Sequence, residues 1–451
     1  MENGFGGEAY LTMPGLLFAL AMALLILVLP RKYALAPVFA LMCYMTLGER
    51  LMIGGLNFTM IRILLVFGWV RLICRKEIRS FKLNGIDTAL LCWVVSRLVL
   101  HNVLWQNGQE FQNSLGGAYD EVGMYFLFRF LVRDIDDIKH AIRLFAIFMV
   151  PVGILMVNEK LTGHNVFAAF GGVHETTVAR EGSLRCQGPF LHPILAGTFG
   201  AVAFPFFVGL YREGGKNRWF AIAGMLAALA VVVTCASSGP VLACTCGILG
   251  LCLWSMRKYM KKLLWGIVFT LCFLQLTMKA PVWFLMAKMD VFSGSTGFHR
   301  ALLIDQALHN LNDWWLCGTK ETKSWGGHLE DVTNQYINEG VYGGLLTMAL
   351  YIRLVARCFK GVGSSVRILQ RESKRTAFYV WALGAALFAH AITFLSVSYF
   401  DQNSVNFYLL MAMISTATSA ALLIKKQPKE RTVETPQMVT QRWDEVPTLA
   451  G

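Results

Sequence analysis

Apolar stretches of roughly 17 to 25 residues, the length that crosses a bilayer's hydrocarbon core, recur along the chain between short polar segments. They fall near 12–30, 34–48, 55–73, 86–104, 117–132, 142–158, 189–210, 219–236, 239–255, 263–281, 334–352, 376–397 and 403–424. The pattern predicts an all-α, polytopic transmembrane helix bundle of about 12–13 spans. Two segments between spans, about 159–188 and about 282–333, are too long to be simple turns, and loops of that size in a compact protein tend to carry function. In the second, GFHRALLIDQALHNLNDWWL puts Phe298, Ala301/Leu302, Leu308, Leu311 and Trp315 at helical spacing. That spacing predicts an amphipathic helix on the membrane surface, with Trp314 and Trp315 at headgroup level. Residues 1–425 read as one transmembrane unit, and the polar, Pro-containing 426–451 as a disordered tail.

Composition agrees with the pattern, at 55% hydrophobic and only 15% charged residues. Charge adds an orientation, because basic loops stay on the cytoplasmic side. Arg31 and Lys32, the runs Arg71 to Lys82, Arg129 to Arg143, Arg212 to Arg218, Arg257 to Lys262 and Arg353 to Arg375, and the tail from Lys425 hold 30 of the 41 basic residues, all on alternate loops. The N-terminus then faces out and the C-terminus in. Arg31 and Lys32 follow the first span and no basic run precedes it, so that span reads as a retained anchor and not a cleaved signal. The net charge of +13 is a property of the inner face and indicates membrane orientation, not nucleic acid. Most of the eleven cysteines lie in or beside apolar spans as small buried hydrophobes. Cys186 and Cys317 alone fall in outer loops, where a disulfide between them is left open.

Chemistry is sought where polar residues are unusual. The outward side carries more acid than base, so Arg180 and Arg185 in TTVAREGSLRCQGPFLHP and Arg300 in the amphipathic helix call for a reason. Arginine suits phosphate oxygens through a planar fork of donors that stays protonated. The ordinary alternative is a local carboxylate, Glu181, Asp305 or Glu330, or lipid headgroups. His328, Glu330 and Asp331 lie just before an apolar span and supply candidate bases, with Thr333 as the N-cap. A helix N-terminus there would favour an anion. His192, ahead of Pro193, reads as structural, and Asp305 with His309 as a solvated i, i+4 pair. Arg62, Arg97 and His390 are the few ionisable groups placed inside spans, the pattern expected of a transporter. No Gly-rich nucleotide loop and no metal-ligand spacing is present, so neither a cofactor nor a metal is expected.

The order R-x-x-G-P-F-x-H-P at Arg185 to Pro193, SSG at 237–239, G-x-x-R at 297–300 and then a polar start to a Gly-containing span resembles the O-antigen ligase and polymerase superfamily of bacterial envelope glycosyltransferases. The resemblance covers the chain from Arg185 to Thr347. The ligase branch has His, then Asn/Ser/Gln, nine residues, Gly, two residues and Gly/Thr/Tyr. Here those places hold Thr333, Asn334, Gly344 and Thr347. The histidine is replaced by Thr333, which leaves His328 or Asp331 as substitutes and favours the polymerase side. The resemblance implies transfer of a glycan from an undecaprenyl-diphosphate carrier to an acceptor hydroxyl at the outer face of the bacterial inner membrane. Its partners would be the lipid-diphosphate-linked oligosaccharide or polysaccharide, a glycan or lipid acceptor, and membrane lipids, with no nucleic acid. Arg180, Arg185 and Arg300 would bind the diphosphate, His328 or Asp331 would be the catalytic base, and Glu330, Thr333 and Asn334 would line the acceptor side. The long loops would be periplasmic, the N-terminus periplasmic and the C-terminus cytoplasmic. The competing expectations are a secondary transporter or lipid-linked glycan flippase, and a non-catalytic scaffold.

Overall fold

The structure, a computed structural model, describes residues 12–46, 49–53, 56–78, 81–180, 182–288, 296–327 and 329–426. His328 and the tail from residue 427 lie outside them.

The protein is an all-α bundle, as the apolar pattern predicts. In chain order the helices are α1 (Met13–Val28), α2 (Ala36–Tyr44), α3 (Met60–Cys74), α4 (Gly85–Trp105), α5 (Gly108–Leu131), α6 (Ile135–Thr162), α7 (Pro193–Glu213), α8 (Asn217–Thr234), α9 (Ser238–Cys252), α10 (Met260–Thr277), α11 (Leu285–Lys288), α12 (Thr296–His309), α13 (Leu311–Trp314), α14 (Gln335–Leu369), α15 (Lys374–Thr393) and α16 (Asp401–Lys426). Each predicted apolar stretch falls on its own helix. Among the described residues, seven helical stretches are long and apolar enough to cross a membrane, which fits a multi-pass membrane protein. The others fall short for visible reasons. Helix α2 has nine residues, about 13 Å at 1.5 Å per residue, and α5 and α14 carry charges inside the bundle.

Two short hairpins interrupt the helices. Strands β1 (Arg50–Ile53) and β2 (Leu56–Thr59) pair antiparallel, Arg50 opposite Thr59, where the third apolar stretch was expected to begin. Strands β3 (Ala179–Arg180) and β4 (Ser183–Leu184) pair in the first long loop. The end of the bundle carrying the 163–192 and 278–334 connections is called the loop end below, and the opposite end, rich in arginine and lysine, the basic end.

Core packing uses small residues so that helices approach closely. A Cβ on Gly200 of α7 would stand 2.7 Å from the Ala228 carbonyl of α8. At the basic end, fully paired polar groups lock the helices. Asn84 caps α4 in a capping box with Asp87. Buried Asp87 also accepts from Tyr125 Oη, Arg129 Nε (3.2 Å) and Ser415 Oγ (2.9 Å). Buried Arg71 donates to Glu77 and to the free carbonyls of Ile26 and Leu29 at the end of α1.

The second long loop departs from the surface-helix expectation. Leu303, Ala307 and Trp314 are buried with Trp325, Leu329, Val332 and Ile337 in a small core, whereas Phe298, Leu308 and Trp315 are about half exposed. The loop therefore folds on itself and onto α14. Trp314 is buried there, and its Nε1–H donates to the Ala307 carbonyl at 2.8 Å.

Candidate functional site

The first long loop is held from below by a carboxylate. Glu159, in the last turn of α6, is buried and accepts from Gln187 N (3.1 Å), Gly188 N (3.0 Å) and Thr177 Oγ1 (3.0 Å). Cys186 N then donates to the Thr234 carbonyl at the end of α8 (3.2 Å). These bonds set Arg185 against the turn between α8 and α9. Arg185 is 7% exposed, and its Nε has no hydrogen-bond partner among the described residues. Its electrostatic neighbours are a second cation, Arg180, and the Cys235 thiol, and burial with Arg180 beside it pushes its pKa down.

Next to it, His192 caps α7, its Nδ1 accepting from Ile194 N at 3.0 Å. Burial, then Arg185 and Arg180, push this imidazole down to about 4. A neutral ring is the form that can accept at Nδ1, so cap and shift agree. From the other side comes Arg300 of α12, whose Nη2 lies 3.7 Å from where a Cβ on Gly239 would stand. Gly239 is in the first turn of α9, whose N-cap, Ser237, makes no side-chain cap bond. Arg185 and Arg300, more than a hundred positions apart in sequence, thus meet one turn that ends in a helix N-terminus. Two guanidinium groups beside a helix N-terminus are an arrangement whose chemistry suits an anion.

The other predicted residues are not drawn into this group. Glu330 and Asp331 are exposed and form no side-chain contact or ion pair among the described residues, while His328 lies outside those residues. Asp305 meets His309 Nδ1 (3.5 Å) and Trp283 Nε1 (3.3 Å). The cap of α14 is corrected by one position. Asn334, not Thr333, accepts from Ile337 N (3.1 Å), and its Nδ2 donates to the Leu395 carbonyl (3.1 Å). The hydroxyl of Thr333 is buried without a partner among the described residues. Cys186 and Cys317 are free thiols. His390 is fully buried on Tyr399 Oη (2.8 Å) among Phe394 and Phe407.

Sequence reasoning missed a second polar region, inside the bundle. A cavity of about 220 Å³ lies between α3, α4, α5, α14 and α16, and another of about 280 Å³ between α4 and α5. They share Arg97, which is ion-paired with Glu121 and lies over the Tyr342 and Trp93 rings at 4.9 and 5.9 Å. Arg62 pairs with Asp120 at 2.9 Å. Glu339, 1% exposed, accepts from Trp93 Nε1 (2.8 Å) and Gln335 Nε2 (2.7 Å). The sequence offered a signal: Asp120, Glu121 and Glu339 are carboxylates inside apolar stretches. Only the arginines there were weighed.

A backbone break links the two regions. Helix α14 is interrupted at Gly343 and at Gly344, whose φ is +70°. The turn after α13 fills the break: Leu345 N donates to the Trp315 carbonyl (2.9 Å) and Thr319 N to the Val341 carbonyl (2.9 Å). Two of the backbone groups at the break, Leu345 N–H and the Val341 carbonyl, are thereby satisfied. The segment carrying Arg300 and the half-helix carrying Glu339 are one connected piece. No protein-family model and no curated protein matches the chain, so the geometry of these two regions carries the functional argument.

Proposed function

We propose that the protein transfers a glycan from a lipid-diphosphate carrier to an acceptor hydroxyl at the loop end of the bundle, in the manner of O-antigen ligases and polymerases. One observation carries the reading: Arg185 is a nearly buried guanidinium with no carboxylate partner among the described residues, and Arg300 meets the same helix turn from a distant part of the chain. A buried cation lacking a counter-ion is costly, and an anionic ligand offsets that cost. In the reaction the acceptor oxygen attacks the anomeric carbon, the bond from that carbon to the phosphate oxygen breaks, and the diphosphate leaves with the electron pair. The arginines stabilise the charge that develops on it. The acceptor proton passes to His328, Asp331 or the departing phosphate oxygen. In this reading the basic end is cytoplasmic, the loop end faces the outer side of a bacterial plasma membrane, and neither a metal nor a nucleotide takes part.

The test is turnover of a lipid-diphosphate-linked glycan by the purified protein in proteoliposomes. Arg185→Lys and Arg300→Lys are each expected to lower the rate by at least about tenfold, since a point charge does not reproduce the fork. Wild-type rates in both folded variants would sink the reading. One observation favours a second reading, a transporter or flippase. The interior cavities border a broken helix, α14, and partly buried ion pairs, features that transporters share. Movement of the intact lipid-linked glycan across proteoliposomes with no product formed would select it.

A further inference from the structure

We propose that the interior cavity lined by Trp93, Arg97, Glu121, Asn338 and Glu339 is a binding site for a neutral, hydroxyl-rich ring, a pyranose. Its ligand class follows from what the lining offers. An anion is disfavoured, because carboxylates outnumber arginines on the wall: Asp120, Glu121, Glu339 and Asp401 against Arg97. A bound metal is disfavoured too, since no cluster of three His, Cys, Asp or Glu able to hold one occurs among the described residues.

The carboxylates do not offer bare charge. Asp120 is held by Arg62 (2.9 Å) and Glu121 by Arg97. Glu339 forms no ion pair within 4 Å among the described residues, though Arg97 is an electrostatic neighbour, and it accepts from two neutral N–H donors, Trp93 and Gln335. Gln335 is itself fixed, its Oε1 accepting from Tyr399 N at 2.6 Å, so its amide nitrogen is the end that faces Glu339. An ionised carboxylate has about four lone-pair positions, and these contacts occupy two. The remainder, with the Asn338 amide, are directional acceptors and donors of the kind that pair with vicinal hydroxyls. The apolar wall is aromatic: Trp93, Tyr408 and Phe407 line the same space, and flat rings suit the C–H faces of a sugar. The volume, about 220 Å³, equals about seven waters at ~30 Å³ each, so a ring can displace them.

Beyond the Arg97–Glu121 pair, the second cavity continues past His101, Asn113 and Ser114, so a chain of two residues has somewhere to go. Read with the proposed transfer, this ligand is the acceptor glycan. That clause rests on the lipid-diphosphate reading, but the binding proposal does not.

The experiment uses the full-length protein in an amine-oxide detergent, since sugar-headgroup detergents would compete. Saturation-transfer NMR is recorded with a panel of neutral hexoses, N-acetylhexosamines and 6-deoxyhexoses, and with sodium chloride and pH titrated separately. At least one pyranose is expected to give a transfer signal, and Glu339→Gln to weaken its binding about tenfold. Asn338→Ala, on a side chain with no bond to lose among the described residues, is the second variant and is expected to weaken binding about threefold while melting like wild type. No signal from any sugar, binding unchanged in both folded variants, or a response to sodium or protons alone overturns the proposal. Because Arg185 and Arg300 lie outside this cavity, donor binding by the arginine site survives its failure. Loss of the donor activity, conversely, leaves the sugar signal in place.

Discussion

Arg185 and Arg97 are both guanidinium groups taken largely out of solvent, and the protein treats them in opposite ways. Arg97 sits against Glu121, with aromatic faces on the other side. Arg185 has a second cation for a neighbour and an Nε with nothing to donate to among the described residues. A paired charge inside a low-dielectric bundle holds structure in place, and removing one partner strands the other. An unpaired one costs stability until something anionic arrives. On the proposed function, the difference separates a structural ion pair from a group that awaits an anionic ligand, and it is open to measurement.

The largest effect is expected on the paired side. Arg97→Met leaves Glu121 buried without its partner and should destabilise by about 3–5 kcal/mol, read as a lower midpoint in thermal unfolding in detergent. Adding Glu121→Leu should recover most of that loss. Arg185→Met is expected to leave the midpoint unchanged or raise it, while abolishing any stabilisation by added inorganic pyrophosphate. If Arg185→Met destabilises as strongly as Arg97→Met, the contrast is false and Arg185 is structural.

Next in size is the joint between the regions. Gly344 adopts φ +70°, and a Cβ there would stand 2.4 Å from the Leu316 carbonyl. Gly344→Ala combines a left-handed backbone with a backbone clash and should cost about 2 kcal/mol or more. Since the inserted turn connects Arg300 to the half-helix of Glu339, donor turnover and sugar binding should both fall. A variant that loses only one of them shows that the two regions are not coupled through the break.

How the sequence foretold these regions follows from which forces act locally. Apolar length is a property of consecutive residues, so the helices were legible, and so was the loop that presents Arg185 and His192. The approach of Arg300 to Gly239 joins residues about sixty positions apart and follows from no local pattern. The interior cavity was illegible for another reason. Glu121 and Glu339 look like errors in apolar spans until Arg97 and Trp93 are known to face them, and those partners lie on α4. The cap of α14 was misread because Thr333 and Asn334 are adjacent and both cap well. Only the backbone direction decides between them. The helix α12 was legible from its spacing, and Phe298, Leu308 and Trp315 of its predicted apolar stripe stay about half exposed, but the packing of Leu303 and Ala307 against Trp325 and Leu329 joins residues that no local pattern links.

A smaller effect tests the electrostatics of the arginine group. His192 is pushed down to about 4 when folded, against about 6.5 when exposed. The released ring takes up a proton as pH falls through 6.5 and the folded ring does not. The local structure is therefore fully stable above pH 6.5 and loses up to about 1.4 kcal/mol per pH unit on the way down to about 4. Hydrogen exchange of residues 186–196 at constant intrinsic rate should show that loss. Arg185→Gln should move the window upward by removing one of the two cations, without abolishing it, because burial is the larger cause. A window unmoved by Arg185→Gln would mean that this guanidinium does not face the ring.

The smallest effect concerns the start of α14. Asn334 satisfies Ile337 N and ties the helix to the Leu395 carbonyl, so Asn334→Ala should cost about 1 kcal/mol, the usual value of a cap. The loss should be confined to the half-helix. Amides of 335–342 should exchange faster and sugar affinity should fall, because Gln335, Asn338 and Glu339 ride on that turn, while residues 179–192 exchange as before. Thr333→Val is the counterpart. It removes a buried hydroxyl that has no partner among the described residues and keeps the shape, and removing an unsatisfied polar group is neutral or stabilising. Should Thr333→Val destabilise more than Asn334→Ala, the hydroxyl is bonded in solution and the cap belongs to Thr333 after all. The half-helix would then start one residue earlier, and Glu339 would turn away from Trp93.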